Sequence, residues 1–399
     1  MVKILTDSDV WAGLDMHSAI AAVRRALAAH RDGTLVAPPR HGVSTGPGSL
    51  VFTVGGQGSL AGFRVYDTYP DSKQDQLTAV WRDGALQGVI VGSALGAIRT
   101  GAIGGVAVDA LARPEASTVA IVGAGLQART QLLAAAAVRL LTQVRVYSRT
   151  QASRDRFAAE MSARLDLRVD AVDNVSDAFD GADIILSATN ASSPVFRAED
   201  VPAGCHVTVA GPKFADRHEW PRALADRAAR IVTDAPDQLR AYPTPFLLAS
   251  TPHMDRIEDL CRLSAATRRA EDITLFVSTG LAGTEVFVGE ALLGVRPSPR
   301  RGNLFADVDA PLRGERAEDL VSWGRLTMER LISAESENGG EYNQSWDEWV
   351  VLLRGSATLV VAGDALDLRA GDWIWLPAHT PHTVTRTSAG ALWLAAHAR

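Results

Sequence analysis

The sequence predicts an α/β fold: a doubly wound parallel sheet, preceded by an α+β region and followed by an all-β domain. Three observations carry this. Strand-like apolar runs alternate with helical stretches between residues 119 and 277, and the first run ends in a glycine turn that opens a long helix. Beyond residue 302, short strands and turns replace that alternation. In chain order, a helix is expected from Leu14 to His30, followed by an Ala-Pro-Pro-Arg turn. Alternating runs then read as an antiparallel sheet: SLVFTV, GFRVYDTYP and LTAVWRDG, separated by Gly and Asp. LGAIRTGAIGGVAVDALA is a helix crowded with small residues, as helices are where another backbone lies close. VAIVG, VRVYS, LRVDAV, DIILSAT, HVTVAG, RIVTD and ITLFVS are seven strands of a parallel sheet whose carboxyl edge should carry the ligand. A helix through GTEVFVGEALLG returns to the first region, and RPSPRRG (296–302) breaks all periodicity and reads as a linker. MERLISAE, EWVVLLRG, ATLVVAG, DWIWLP, HTVTRT and LWLAAH then suggest a small barrel or sandwich, with its tryptophans read mainly as core. The expected domains are 1–118 with 278–298, 119–277, and 303–399.

With 399 residues, 47% of them hydrophobic and 22% charged, the chain is too apolar to be disordered. A net charge of −6 without a dense basic patch argues against a nucleic-acid partner. Two cysteines, Cys205 and Cys261, imply neither a disulfide framework nor a cysteine-based metal site. The N-terminus lacks the pattern of a signal peptide and no apolar run approaches membrane-spanning length, so a cytoplasmic protein without membrane contact is expected.

Val119 to Thr150 is the most informative stretch. A β-branched strand, the turn Gly123-Ala124-Gly125-Leu126-Gln127-Ala128, a long helix and a second strand form a G-x-G-x-x-A fingerprint in the context a dinucleotide site requires. Gly123 permits the tight turn, Gly125 lets a pyrophosphate approach the backbone, and the free N–H groups at Leu126 and Gln127 attract phosphate. The second strand ends in Ser148-Arg149-Thr150, with no carboxylate for ribose hydroxyls. An arginine flanked by hydroxyls suits a 2′-phosphate, so NADP(H) is favoured over NAD(H).

Leu95 to Ala102 (LGAIRTGA), followed by IVGAGLQA, resembles the ornithine cyclodeaminase/μ-crystallin family. APPR (37–40), GFRVYDTYP (62–70), GPKFADRHE (211–219) and STGLAGTE (278–285) match in family order, over about three quarters of the chain. The resemblance implies a Rossmann domain beside a substrate-binding and dimerisation domain, a homodimer, and hydride transfer through an imine. Such chemistry needs a nicotinamide face, cations for an α-carboxylate, and a proton donor or acceptor near the imine nitrogen. The resemblance brings Arg40, Arg64 and Arg99 together as carboxylate ligands, a task for which guanidinium groups are suited. It places Thr100, Ala188, Thr189, Asn190 and Gly280 against the cofactor, and gives Glu285 the ordering of the Arg99 region. Asp234 is either a helix cap or a site residue.

Two departures from the cyclodeaminase pattern matter. Arg64 replaces a lysine, and Lys213 replaces the aspartate that handles the substrate amine and water. A cation there repels the side-chain ammonium of ornithine. Lys213 is then either the general acid to the imine nitrogen, if neighbouring arginines lower its pKa, or a cation that binds phosphate or carboxylate.

Glu348-Trp349-Val350, Gly355, Gly371-Asp372, Pro377 and His382 resemble the two motifs of cupins. Tyr342 and Gln344 stand where a metal-binding cupin has two histidines. Glu348 and His382 remain, with Gln344 a poor third ligand and His379, at a usual glycine position, as a substitute; a barrel without metal is favoured. Taken together, the expected activity is an NADP(H)-dependent reductase of a small imino acid, or a dehydrogenase of an amino acid. The alternatives are an ornithine cyclodeaminase and a non-catalytic NADPH- or ligand-binding regulator.

Overall fold

The computed structural model describes residues 2–70, 72, 75–263, 268–294, 301–323, 326–337 and 339–398. Most of the expected linker, residues 296–300, lies outside them. The chain divides into two compact units, Met1–Val295 and Arg296–Arg399.

The first unit holds two sheets. One comprises β1 (Lys3–Leu5), β2 (His41–Ser44), β3 (Ser49–Gln57), β4 (Leu60–Asp67), β5 (Gln76–Arg82) and β6 (Ala85–Val91), in the order β1-β6-β5-β4-β3-β2. It is antiparallel except where β1 joins β6. Strict alternation sets its register: Thr53 faces Arg64 on one side, and Val54 faces Phe63 on the other. The helix Met16–Arg31 begins at Asp15, whose carboxylate accepts from the Ser18 N–H at 2.8 Å.

The other sheet is wholly parallel: β7 (Thr118–Val122), β8 (Gln143–Tyr147), β9 (Val169–Ala171), β10 (Ile184–Ser187), β11 (His206–Val209), β12 (Ala228–Thr233), β13 (Ile257–Asp259) and β14 (Ile273–Val277). Its order, β13-β12-β14-β11-β10-β7-β8-β9, runs outward in one direction from β7 and in the other from β10. That is the doubly wound sheet expected, with its switch point between β7 and β10, the place where such sheets bind ligands. Among the described residues it has eight strands, not seven. The extra strand, Ile257-Glu258-Asp259, is too short and too polar to show periodicity, and it exists through pairing with β12.

The small-residue helix, Ala94–Leu111, packs between its neighbours through its glycines. A Cβ on Gly101 would meet the Thr130 carbonyl oxygen at 2.6 Å, and one on Gly105 would meet Ala134 and Ile20 at 3.0 Å. This helix corrects the expectation that no run approaches membrane-spanning length: it is long and apolar enough, but 78% of it is buried inside the protein. The last helix, Thr284–Leu293, is buried along nearly its whole length.

The second unit pairs two antiparallel sheets: β15 (Glu315–Trp323), β16 (Leu326–Ser333), β23 (Ala391–Ala398), β18 (Asp347–Arg354) and β21 (Trp373–Leu376) in one, and β17 (Glu341–Tyr342), β22 (His382–Thr387), β19 (Ser356–Val361) and β20 (Asp364–Arg369) in the other. Val350, Leu352, Leu359, Trp393 and Ala395 form its core. The tryptophans correct the expectation of a tryptophan-rich core. Trp393 is 4% exposed, whereas Trp349, Trp373 and Trp375 stand 37%, 62% and 57% exposed on the paired strands β18 and β21.

Gly101→Val drives a side chain into backbone, so it should destabilise the first unit by about 1–3 kcal/mol, the usual cost of overpacking. Chemical denaturation followed by circular dichroism measures this, and an unchanged midpoint would mean that the helix does not meet the Thr130 backbone at Gly101.

Candidate active site

The β7 turn has the geometry its glycines announced. Gly123 adopts φ +107°, open to glycine alone at low cost, and a Cβ there would lie 2.4 Å from the Ala188 carbonyl oxygen. Gly125 precedes the helix Leu126–Val138, and no atom lies within 4 Å of where its Cβ would be. Ala128 is fully buried beneath the turn. The helix thus starts beside open space at Gly125, and its N-terminus carries the positive end of its dipole. Gln127 is half-buried, and its Oε1 has no hydrogen-bond partner among the described residues. At the end of β8, Arg149 and Thr150 are exposed; the Thr150 hydroxyl donates to Ser153 Oγ at 2.7 Å, and the Ser148 carbonyl accepts from Arg154. Arg149 is thus presented to solvent at the end of β8.

At the end of β10, the Thr189 N–H and hydroxyl both donate to Glu219 Oε2, at 2.7 and 2.8 Å. Gly211 N–H donates to the other oxygen at 2.6 Å. Glu219 thus ties the ends of β10 and β11 together while fully buried, and burial pushes its carboxyl above its ordinary pKa. Asn190 is exposed, its carbonyl accepting from Arg217.

Asp234, following β12, organises the turn after β14. One oxygen accepts from the Thr279 N–H and hydroxyl at 2.7 and 2.9 Å, and the other accepts from Gly280 and Leu281 N–H at 2.8 and 2.7 Å. The helix-cap reading is therefore corrected: the next helix starts after Ala235, without a side-chain cap. The turn needs Gly280, which sits at φ +82° with Arg99 Nη1 and Arg40 Nη2 within 2.6 Å of where a Cβ would be.

Arg40, Arg64 and Arg99 do converge, at this turn. Arg99 is 2% exposed, and its Nη2 lies 2.6 Å from Oε1 of the 1%-exposed Glu285; Arg64 Nη1 reaches the same oxygen at 3.3 Å. Burial would raise the Glu285 carboxyl, but Arg99 and Arg64 hold it below its ordinary pKa. Its position in the first turn of the last helix adds the favourable end of the helix dipole. Arg64 stacks over Tyr66, 4.5 Å from the ring centre, and burial with its cationic neighbours lowers it to about 10. Arg40 donates to the Thr279 carbonyl, to the Gly280 carbonyl at 3.0 Å and to Tyr242 Oη at 3.5 Å. Thr100 lies one residue beyond Arg99; its hydroxyl bonds the Gly96 carbonyl, and its own carbonyl accepts from Gln131. With β11 and β10 between β14 and β7, the cationic cluster and the glycine turn sit about 14 Å apart along one carboxyl edge.

Lys213, on the loop after β11, is 9% exposed, and its ammonium has no hydrogen-bond or ion-pair partner among the described residues. Burial first, then Arg40, depresses it to about 8. Residues that sequence reasoning missed complete the pocket: Glu219, Tyr66 and Tyr242. Glu219 and Tyr66 lie inside matched segments and were open to notice, whereas nothing local marks Tyr242.

In the second unit a cavity of about 70 Å³ is lined by Glu315, Tyr342, Glu348, His382 and Trp393 with aliphatic neighbours. Tyr342 stacks on His382, whose Nδ1 meets the Thr380 carbonyl. Glu348 is engaged by Gln344 and lies 3.5 Å from His397 Nδ1. His379 takes φ +60°, the conformation of the glycine it replaces, but is exposed and does not line the cavity, which corrects its reading as a substitute ligand. Among the described residues, three metal-ligating side chains meet at His30, Asp259 and Cys261 in the first unit, where Asp259 already pairs with His30 at 3.5 Å and burial pushes the Cys261 thiol up to about 12.

Residues 2–291 match the model of the ornithine cyclodeaminase/mu-crystallin family. The chain belongs to this family. A cupin domain model matches residues 331–396. Among similar proteins, the Delta(1)-pyrroline-2-carboxylate reductase of Bacillus cereus is 32% identical over 51% of this chain and 65% of its own length, so the chain spans just under two thirds of that relative. The ornithine cyclodeaminase of Brucella abortus is 28% identical over 70% of this chain and 79% of its own. The solved structure of the Thermococcus litoralis Delta(1)-pyrroline-2-carboxylate reductase, with NADH and L-proline, has a TM-score of 0.67 at 24% identity, covering 74% of this chain and 97% of that one. In this member of the ornithine cyclodeaminase/mu-crystallin family the site holds three buried cations, Arg64, Arg99 and Lys213, and the half-buried Arg40; Glu285 directly pairs Arg64 and Arg99.

Glu285→Gln removes the carboxylate between two buried guanidinium groups. It should cost about 3–5 kcal/mol of stability, as breaking a buried pair does. Urea denaturation reads this out, and a loss under about 1 kcal/mol would show that Arg64 and Arg99 do not rely on Glu285.

Proposed function

We propose that this protein reduces the C=N bond of a small imino acid with NADP(H), the same site running backwards as an amino-acid dehydrogenase. The observation that carries this reading is the convergence of Arg40, Arg64 and Arg99 at Gly280, on the carboxyl edge of the sheet whose β7 turn is shaped for a dinucleotide. The turn fits the cofactor: Gly123 is in a conformation only glycine adopts cheaply, and a Cβ on Gly125 would meet nothing within 4 Å. Bound there, NADP(H) supplies the hydride. Arg149 offers its exposed guanidinium to the 2′-phosphate. Arg64 and Arg99, aligned by Glu285, hold the α-carboxylate, and Arg40, fixed by the Thr279 and Gly280 carbonyls, closes the other side. The imine is reduced as its protonated form: its carbon receives the hydride, and the π pair stays on nitrogen as the amine lone pair. Lys213, buried on the loop after β11, adds a further cation to this reading and argues against ornithine cyclodeamination, which brings a second ammonium. We also infer a homodimer paired through the first sheet, whose outer face carries the half-exposed Val54 beside Phe63.

Following nucleotide oxidation against cyclic imino acids, and against keto acids with ammonia or methylamine, tests the activity. Turnover with an imine supports it, whereas ammonia release from ornithine without net nucleotide change would replace it. Arg149→Asp should shift the preference from NADPH towards NADH by about tenfold or more, the loss of one charge-assisted contact. An unaltered affinity ratio would remove Arg149 from the phosphate site. Because Lys213 is protonated below about pH 8 and neutral above, kcat/KM for reduction should fall as pH rises through that range, and the midpoint in kcat should lie higher, since the bound anion stabilises the ammonium. A flat profile between pH 7 and 9.5 would show that the Lys213 charge is not used.

A further inference from the structure

Two of the four cations in the pocket lack an anionic partner. Glu285 pairs with Arg99 and Arg64. Arg40 donates only to neutral acceptors, the Thr279 and Gly280 carbonyls and the Tyr242 hydroxyl. Lys213, nine-tenths buried, has no partner among the described residues. The two other carboxylates of the neighbourhood are already committed to the backbone. Both oxygens of Asp234 accept N–H groups of the 279–281 turn, and both oxygens of Glu219 accept those of Gly211 and Thr189. A buried ammonium left without a partner is costly unless a ligand supplies one.

The charges of Glu219 and Asp234 still reach Lys213 although their oxygens hold backbone amides, so four cations stand against three carboxylates. A substrate with a single carboxylate offsets the remaining positive charge, and its protonated imine restores it. One feature relieves that imbalance. Building on the imine-reduction reading above, we propose that the substrate carries a second anionic group, a carboxylate on its side chain, held by Lys213 with Arg40. The natural substrate is then an imino dicarboxylate, and Lys213 determines specificity. Phe214, the residue after Lys213, packs edge-on against Tyr242 with ring centres 5.0 Å apart, and Tyr242 Oη lies 3.5 Å from Arg40 Nη1, so the Lys213 loop and Arg40 border the same region. Elongated substrates with a terminal ammonium are rejected by the same charge.

Two measurements on the full chain separate this inference from the reading it rests on. The first compares NADPH-dependent reduction of imines formed from oxaloacetate or 2-oxoglutarate with those formed from glyoxylate or pyruvate, using the same amine. The second titrates succinate and propionate into the NADP⁺-saturated protein by calorimetry, which requires no turnover. The dicarboxylate series should be favoured at least about tenfold in kcat/KM, and succinate should bind at least about tenfold tighter than propionate, the scale of one buried charge-assisted contact. Lys213→Met should bring both ratios close to one. Lys213→Arg, which keeps the charge, should restore most of the succinate preference. Equal or better handling of the monocarboxylates, or a preference unchanged in Lys213→Met, overturns the inference while leaving imine reduction standing. Lys213-dependent succinate binding without turnover of any imine supports the second anion site and overturns the reductase reading. Neither turnover nor succinate binding overturns both.

Discussion

The first unit is organised around one buried carboxylate. Glu285 stands at the start of the last helix, reaches Arg99 on the small-residue helix and Arg64 on β4, and thereby joins three elements far apart in sequence. Neither arginine is tolerable at that depth without it, and Glu285 is tolerable only because two guanidinium groups answer it. The arrangement fixes the two guanidinium planes before any substrate arrives, and such preorganisation is what carboxylate capture demands. It also requires the close backbone approaches seen at Gly101 and Gly105, because the helix carrying Arg99 reaches its depth only where no side chain intervenes.

Two other carboxylates work differently. Asp234 and Glu219 spend their oxygens mainly on backbone amides, so they shape turns and bond neither Arg40 nor Lys213 directly. The 279–281 turn presents two carbonyls to Arg40, and the junction of β10 and β11 sets the base of the Lys213 loop. The pocket therefore has a rigid, already neutralised half and a half whose charge awaits a ligand. That asymmetry, more than the number of cations, is the basis for reading the site as one for an anionic imino acid.

The parts legible in the sequence were those set by local geometry. Gly123 declared its left-handed turn, the small residues of Leu95 to Gly105 declared a close helix, and alternation declared β3 to β5. The convergence of Arg40, Arg64 and Arg99 is long-range and came only through family resemblance. Asp234 was partly misread because capping rules look a few residues forward, towards Pro236, whereas its carboxylate reaches a turn some 45 residues later. Trp349, Trp373 and Trp375 misled for a related reason: alternation separates two faces of a strand without saying which is inside, and here the indoles lie outward. Ile257–Asp259 has no periodic signal at all, since three residues become a strand only beside β12.

The most direct measurement of the central claim is a crystal structure of the full chain with NADP⁺ and succinate. The account predicts the nucleotide phosphates on the amides after Gly123, the 2′-phosphate at Arg149, and one succinate carboxylate bonded to Arg99 with the nicotinamide beside Gly280. Succinate absent from the arginine pocket, or a nucleotide bound away from the β7 turn, would contradict it.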